Sequence, residues 1–232
     1  MRIAGDRISK GISVLQQKGW FSRTPPEFQA VVLARCNWDI FKAGETLIWG
    51  GDREGGIFGL AEGSVSVTSS TGAADVAPVH IVRPPFWFGL NPLVAGEARN
   101  VTVAARADVL VAQVPQHALA AILADNPEYW RLTGQLLIDT VAIAVQAVAD
   151  LMLRDNKRRC IAVLLRIADC RNLGDTVVTA DVGQEELAAM ANMSRQTVGP
   201  ILHELERSGL IALGYRSIVL HKPAALRNIV GA

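Results

Sequence analysis

Cysteine and histidine are both scarce in this chain of 232 residues. The three cysteines, Cys36, Cys160 and Cys170, are odd in number and show no C-x-x-C spacing, which excludes a disulfide framework and a cysteine-based zinc or iron–sulphur site. The four histidines are scattered, whereas a metal-dependent barrel enzyme needs several of them clustered with a carboxylate. No P-loop, nucleophile elbow or dinucleotide fingerprint is present, so the sequence predicts neither a metal site nor an enzyme.

Long hydrophobic runs are lacking as well. The richest stretch, residues 141–153, is interrupted by Gln146 and Asp150, so we expect no segment with the roughly 18 to 20 apolar residues of a membrane span. The N-terminus has no continuous apolar region of the secretory type. We therefore expect a cytoplasmic protein with no membrane partner. Half of the residues are hydrophobic and 19% are charged, which is typical of compact globular domains.

Charge of one sign does not dominate, because the net charge is +1. From Arg154 to the end, eleven Lys and Arg stand against eight Asp and Glu, whereas the preceding residues carry twelve against fourteen. This modest positive excess permits a nucleic-acid partner for the C-terminal part without requiring one.

Short strands are predicted from about Asp39 to Val114. This region is a series of β-branched or alternating runs punctuated by glycine, including FKAGETLIWGGD and GLAEGSVSV. Such runs are typical of short antiparallel strands in a roll or barrel. Helical patterns lie on both sides of it, weak in residues 13–36 and clear from Pro115 onward.

One long helix is predicted for residues 127–153, and it carries two adjacent apolar stripes. The first repeats with the spacing of a two-helix coiled coil and is assigned to a dimer interface that comprises Leu137, Val141, Ala144, Val148 and Leu151. The second comprises Ile138, Ala142, Val145, Ala149 and Met152. Two stripes must be covered on two sides, one by the β-roll and one by a second copy of the chain. The alternative is that both stripes pack within one monomer.

The segment that begins at Gln184 has the spacing of a helix-turn-helix. Ala188 is small enough for a second helix to cross closely, Asn192 suits the left-handed residue of the turn, and Ser194 is a natural N-cap. In the second helix the core face is formed by Val198, Ile201, Leu202 and Leu205. The alternative is an amphipathic helix pair without a nucleic-acid role.

The opposite face of that second helix carries the candidate DNA contacts. Arg195 is expected to bind guanine or phosphate, Gln196 to bind adenine, and Ser194 and Thr197 to hold phosphate. His203 lies further along the same face, and Gly199-Pro200 interrupts it. Two short strands with a glycine turn at Gly214 follow as a predicted wing, with Arg216 at its tip as a phosphate contact.

This order of elements resembles the catabolite activator and fumarate-nitrate regulator (CRP/FNR) family of bacterial transcription factors. SRQTVGPIL is similar to the family's recognition helix S-R-x-T-V-x-R-x-L, and GLAEGSVSV and FKAGETLIWGGD resemble its β-roll. The resemblance implies an α+β fold with a cyclic-nucleotide-binding-like β-roll in residues 1–126, a dimerisation helix in 127–153 and a winged helix-turn-helix in 154–232. It also implies a homodimer, with double-stranded DNA and RNA polymerase as partners. Pro200 stands where the cAMP-responsive members of the family carry a base-contacting arginine.

The family's cyclic-nucleotide cassette is only partly present in WFGLNPLVAGEARNVTV. Leu90 replaces the glutamate that accepts the ribose hydroxyl, Asn100 replaces a small hydroxyl residue, and Ala144-Val145 replaces the Thr-Ser pair that meets adenine. We therefore expect no response to cAMP, no cofactor, and an effector pocket, of unknown ligand, that comprises Phe88, Gly89, Leu90, Arg99, Asn100, Ala144 and Val145. Arg99 faces either an acidic ligand or a nearby carboxylate.

The iron–sulphur branch of the family needs four cysteines and is excluded, because this chain has three. Two alternatives remain open from the sequence. A haem-sensing branch would need axial ligands, for which His80 and Cys36 are the candidates. In the other alternative, the β-roll is a small-molecule sensor and the C-terminal domain binds a protein instead of DNA.

Overall fold

The computed structural model describes residues 3–70, 78–172 and 174–231. It contains two compact units. Among the described residues, the first unit comprises 3–70 and 81–142, and the second comprises 78–80 and 143–231.

Two four-stranded antiparallel sheets form the centre of the first unit. One has the strand order β1 (Asn37–Phe41), β8 (Val109–Pro115), β3 (Gly56–Glu62) and β6 (Phe86–Phe88). The other has the order β2 (Thr46–Ile48), β7 (Val101–Ala105), β4 (Val65–Ser69) and β5 (His80–Val82). The prediction of short antiparallel strands in this region is confirmed.

Burial along the strands follows their place in the sheet. On β7, Val103 and Ala105 are buried while Ala104 between them is half-buried, because successive side chains of a strand point to opposite faces. Residues 109–112 of the central strand β8 are all buried, since both faces of that strand are covered. The core between the sheets includes Phe58, Leu60 and Val111.

The helices of the first unit build a second core against the roll. They are α1 (Gly5–Gln17), α2 (Gly19–Ser22), α3 (Pro26–Leu33), α4 (Asn91–Ala95) and α5 (Gln116–Asp125). Trp20, Phe21 and Phe28 from this N-terminal region pack around Trp87 of β6. The Trp20 indole Nε1 donates a hydrogen bond of 2.6 Å to the carbonyl of Leu132, which ties the N-terminal helices to the helix that follows.

That helix, α6 (Trp130–Leu151), follows a 3-10 turn at Pro127–Tyr129. Leu132 and Leu136 are buried in the first unit's core, whereas most of the later apolar residues are exposed. By length and composition alone, Pro127–Leu151 is long and apolar enough to cross a membrane. The expectation that no segment reaches this length is therefore wrong, because Asp139, Gln146 and Asp150 do not offset the surrounding aliphatic residues.

The second unit contains a helical core with a small sheet. Its helices after α6 are α7 (Asn156–Ile167), α8 (Gln184–Met190), α9 (Arg195–Arg207) and α10 (Pro223–Gly231). The strands β9 (Val178–Ala180), β10 (Ile211–Gly214) and β11 (Ser217–Leu220) form an antiparallel sheet in the order β10-β11-β9. Asp155 caps α7 by accepting a hydrogen bond of 2.8 Å from the Arg158 amide.

Candidate nucleic-acid interface and effector cassette

The turn between α8 and α9 has the conformation that the sequence predicted. Asn192 lies in the left-handed region with a φ of 52°, where asparagine is better tolerated than most residues. The Ser194 hydroxyl then accepts a hydrogen bond of 3.1 Å from the Thr197 amide and contacts the Thr197 hydroxyl at 2.9 Å. Ala188 is buried beneath this turn. The two helices thus form a helix-turn-helix.

Two faces of α9 differ sharply in burial. Val198, Leu202 and Leu205 are buried against the second unit's core, and Ile201 is half-buried at the edge of the same face. The opposite face exposes Arg195, Gln196, Pro200, His203 and Arg207. The helix continues through Pro200 to Arg207. The polar face is therefore free to meet a partner.

The wing is a hairpin of β10 and β11 in which Gly214 pairs with Ser217. Its turn is formed by Tyr215 and Arg216, and Arg216 has a left-handed φ of 50°. Tyr215 is 94% exposed. Arg216 was predicted at the wing tip, whereas Tyr215 was not considered as a contact residue. An aromatic residue in a predicted hairpin turn could have indicated it.

Arg195 and Arg216 line one open groove of about 790 Å³ between α8, the start of α9 and the wing. Gln184 and Tyr215 also line it, and so do the acidic residues Glu185 and Glu186. The groove therefore brings together two predicted DNA contacts from different elements. His203 lies two turns further along α9, where its Nδ1 is 3.6 Å from the Glu206 carboxylate.

The cassette that resembles a nucleotide site surrounds Arg99 in the first unit. Arg99 is 5% exposed, and Leu90 is buried in the core that contains Trp20 and Trp87. Phe88 ends β6, and Gly89 follows it with a φ of 100°. Asn100 is exposed and its side-chain oxygen accepts a hydrogen bond of 3.2 Å from Asn91. Ala144 and Val145 belong to the second unit, and both are exposed on α6.

Three backbone carbonyls hold the Arg99 guanidinium. Nη1 donates to the carbonyl of Gly89 at 3.0 Å, Nη2 to that of Gly56 at 2.9 Å, and Nε and Nη2 to that of Glu54 at 3.3 and 3.2 Å. A Cβ on Gly56 would lie 1.9 Å from the Val114 carbonyl, so only glycine fits there. Burial lowers the pKa of Arg99, and the charge of Asp52 opposes that shift. The sequence left an acidic ligand or a nearby carboxylate open as the partner of Arg99, whereas its described hydrogen bonds are to neutral backbone oxygens.

The residues considered as haem ligands have protein partners of their own. The Cys36 thiol donates to the Val32 carbonyl at 3.3 Å, and burial raises its pKa to about 12. His80 Nδ1 lies 3.3 Å from Nη1 of Arg166. Burial, with a smaller contribution from Arg166, lowers the pKa of His80 to about 4. Within residues 3–70, 78–172 and 174–231, no group of three His, Cys, Asp or Glu could hold a metal ion.

A buried charge network in the second unit was not foreseen from the sequence. Asp150, at the end of α6, is fully buried and accepts from Nε of Arg166 at 3.1 Å and from Nε of Arg171 at 2.9 Å. Gln146 donates to the same carboxylate at 3.1 Å. Arg166 also donates to the carbonyl of Val79 at 3.2 Å. The sequence did contain a signal for this network. It places an aspartate in an otherwise apolar helix and arginines in the next helix and the loop that follows.

Models of known protein families match each of the two units. Residues 39–126 match the cyclic nucleotide-binding domain model, and residues 158–229 match the Crp-like helix-turn-helix domain model. The transcriptional regulator SdrP of Thermus thermophilus is 28% identical over 198 residues, which cover 82% of this chain and 92% of SdrP. A CRP-like cAMP-activated global transcriptional regulator of Mycobacterium tuberculosis is 23% identical over 89% of this chain and 94% of its own length.

Solved structures give the same assignment. A CRP/FNR-family transcriptional regulator from Thermus thermophilus superposes with a TM-score of 0.64 and 26% identity, over 84% of this chain and 99% of that one. FixK2 from Bradyrhizobium japonicum shares the fold with a TM-score of 0.65 at 18% identity, over 85% and 98% of the two chains. SdrP, the Mycobacterium tuberculosis protein and the Thermus structure are transcription regulators and not enzymes. The chain belongs to the CRP/FNR family of transcription regulators, with a helix-turn-helix DNA-binding domain.

Proposed function

We propose that this regulator works as a cytoplasmic homodimer that reads a palindromic DNA site and does not respond to cAMP. The observation that carries the proposal is a seam of exposed apolar side chains that follows α6 and ends at Met152, one residue beyond the helix. Ile138, Val141, Val145, Val148 and Met152 are between 55% and 75% exposed. Their spacing of 3, 4, 3 and 4 residues is that of a coiled-coil seam. An apolar strip of this kind on a water-soluble protein marks a contact surface.

The seam differs by a small rotation from the one expected from sequence. Leu137 is half-buried and packs against the first unit's core, so Ile138 takes its place in the proposed interface. Val145 and Met152, from the second stripe, are at least as exposed as Val141 and Val148 of the first. Leu151 is 41% exposed and lies at the border of the seam.

A membrane is the competing partner for the same helix. Two features favour a second copy of the chain. Asp139 pairs with Arg23 on the first unit, and Asp150 is buried between two arginines, so both acidic groups of the helix are engaged by protein. A span would remove these charges from their partners at a cost of several kcal/mol. Binding to protein-free vesicles would contradict the dimer proposal.

DNA contacts are proposed for both elements that line the groove. Ser194, Thr197 and Arg216 hold phosphates, while Arg195 and Gln196 read base edges and His203 lies over the adjoining backbone. In a dimer the two copies of α9 would enter successive major grooves about 34 to 36 Å apart. RNA polymerase is the further partner that a regulator of this family implies.

Insensitivity to cAMP follows from how Arg99 and Leu90 are used. Every Arg99 hydrogen bond described in the cassette is to a backbone carbonyl, and Leu90 is buried where a ribose acceptor would be required. We therefore do not extend cAMP activation to this chain, although one relative is named as cAMP-activated. Calorimetric titration with cAMP is expected to give no heat of binding.

The deciding experiment is selection of bound fragments from random duplex DNA with the purified protein. We expect a palindrome whose half-sites are one helical turn apart, and the Gln196→Ala variant should lose preference at one base pair in each half. In the alternative, the β-roll is a sensor and the C-terminal domain binds a protein. The electrophoretic mobility of the protein would then be unaffected by added duplex DNA at low salt. Repeating the selection with a small-molecule fraction of a cell extract tests for an effector.

A further inference from the structure

Pro200 occupies the centre of the exposed face of α9. Gln196, Pro200, His203 and Arg207 follow each other at intervals of four, three and four residues, which places them on one side of the helix. This side lies opposite Val198, Leu202 and Leu205, which are buried. Pro200 is itself exposed, so packing of the core does not require it.

A proline at this position weakens the helix, because it lacks the N–H that would bond the Gln196 carbonyl and its ring crowds that carbonyl. A costly residue at an exposed site is most readily explained by what the surface contacts. Gly199 beside it presents no side chain, and a Cβ there would meet nothing within 4 Å. Positions 199 and 200 together form a small apolar area without side-chain donors or acceptors.

In the major groove, the C5-methyl group of thymine is the apolar feature among the base edges. A guanine, adenine or cytosine edge placed against Pro200 would lose its water without gaining a hydrogen bond. We infer that Pro200 is a specificity-determining residue that selects a thymine methyl, or the equivalent methyl of 5-methylcytosine, next to the base read by Gln196. This inference rests on the proposed DNA reading and names a base in each half-site.

The test replaces each thymine of the selected half-site in turn by deoxyuridine, which lacks only the methyl group. Binding is measured by fluorescence anisotropy at one fixed salt concentration. Burial of a single methyl corresponds to about a four-fold change in affinity for each half-site. We expect one thymine position with this loss for the natural protein and no loss there for Pro200→Ser. Converting that base pair to C·G should weaken binding, and 5-methylcytosine should restore part of it.

Gln196→Ala is the matched control, since it should weaken binding overall and keep the thymine-over-deoxyuridine preference. Thermal melting of both variants checks that they fold. The inference is overturned if no thymine in the half-site shows the loss, or if Pro200→Ser retains it in full. If the protein binds no palindrome at all, the proposed function fails as well; a bound palindrome without the methyl effect rejects this inference alone.

Discussion

Asp150 and Arg166 form an ion pair that is almost completely removed from water, with side chains 0% and 5% exposed and a distance of 3.1 Å between Oδ2 and Nε. Arg171 and Gln146 bind the other carboxylate oxygen. Such a pair adds little net stability by itself, yet loss of one partner leaves a buried charge without compensation. The end of α6 is therefore fixed to α7 by an interaction that tolerates little change.

Replacing Asp150 by asparagine should destabilise the protein by about 3 to 5 kcal/mol, because Arg166 would remain buried without a counter-charge. Chemical denaturation measures the free energy of unfolding. Asp139→Asn is the control, since Asp139 pairs with Arg23 at the surface and should contribute less than about 1 kcal/mol. Equal effects of the two substitutions would contradict the structural distinction.

Acid should weaken the protein through His80. Burial lowers the folded-state pKa of this residue from 6.5 to about 4, and Arg166 adds to that shift. Below pH about 6.5 the unfolded chain binds the proton first, so stability is complete above that pH and falls as the pH approaches 4. The loss should reach about 3 kcal/mol. The difference between the natural protein and His80→Gln, followed across this range, isolates the contribution; identical curves would argue against it.

Arg99→Leu should destabilise the first unit by about 2 to 4 kcal/mol, because the carbonyls of Glu54, Gly56 and Gly89 would lose a buried charged donor. Arg53→Leu is the comparison, since its hydrogen bond to the Gly96 carbonyl is exposed and should contribute little. Thermal melting separates the two. If cAMP raises the melting temperature of the natural protein in the same assay, Arg99 can exchange its carbonyl partners for a phosphate, which would contradict the proposal.

Val145→Glu should convert the proposed homodimer to monomers, because it places a charge in the middle of the exposed seam. Light scattering coupled to gel filtration gives the mass directly. Gln135→Glu, on an exposed turn of α6 before the seam, should leave the mass unchanged. If the Val145→Glu protein is still a dimer, the interface lies elsewhere than on the seam.

Arg216→Ala should make the affinity for DNA less dependent on salt. The slope of log affinity against log salt concentration should become shallower by about 0.9 for each phosphate that Arg216 neutralises. The base preference should stay the same. The measurement is a salt series of binding isotherms on one operator duplex. Lys10→Ala, an exposed cation of the first unit, serves as control and should preserve the slope. A changed consensus for Arg216→Ala would instead assign it a base contact.

Local signals were enough to predict several parts of the site. Asn192 and Ser194 take their conformation from side-chain chemistry within a few residues, and the structure confirms both. The order of roll, long helix and helix-turn-helix is also predictable from hydrophobic period and turn residues. The family resemblance supports the same order.

Other features depend on residues distant in sequence. Two stripes on α6 fit a coiled coil equally well by spacing, and the exposed seam takes residues from both of them because Leu137 packs against the first unit's core. The carbonyls around Arg99 come partly from residues more than forty positions earlier. By sequence pattern Asp150 belongs to a polar edge of α6, because the arginines that bury it lie beyond the end of its own helix.

In the proposed function, the three backbone carbonyls that bind Arg99 would compete with any anion for its guanidinium. Their oxygens are part of the folded backbone, so they are present at a high effective concentration that dilution cannot reduce. A phosphate that took the guanidinium N–H groups for itself would leave the carbonyls of Glu54, Gly56 and Gly89 without their charged donor. Selectivity against nucleotides would then be a property of the main chain, and changes to pocket side chains alone would not restore nucleotide binding.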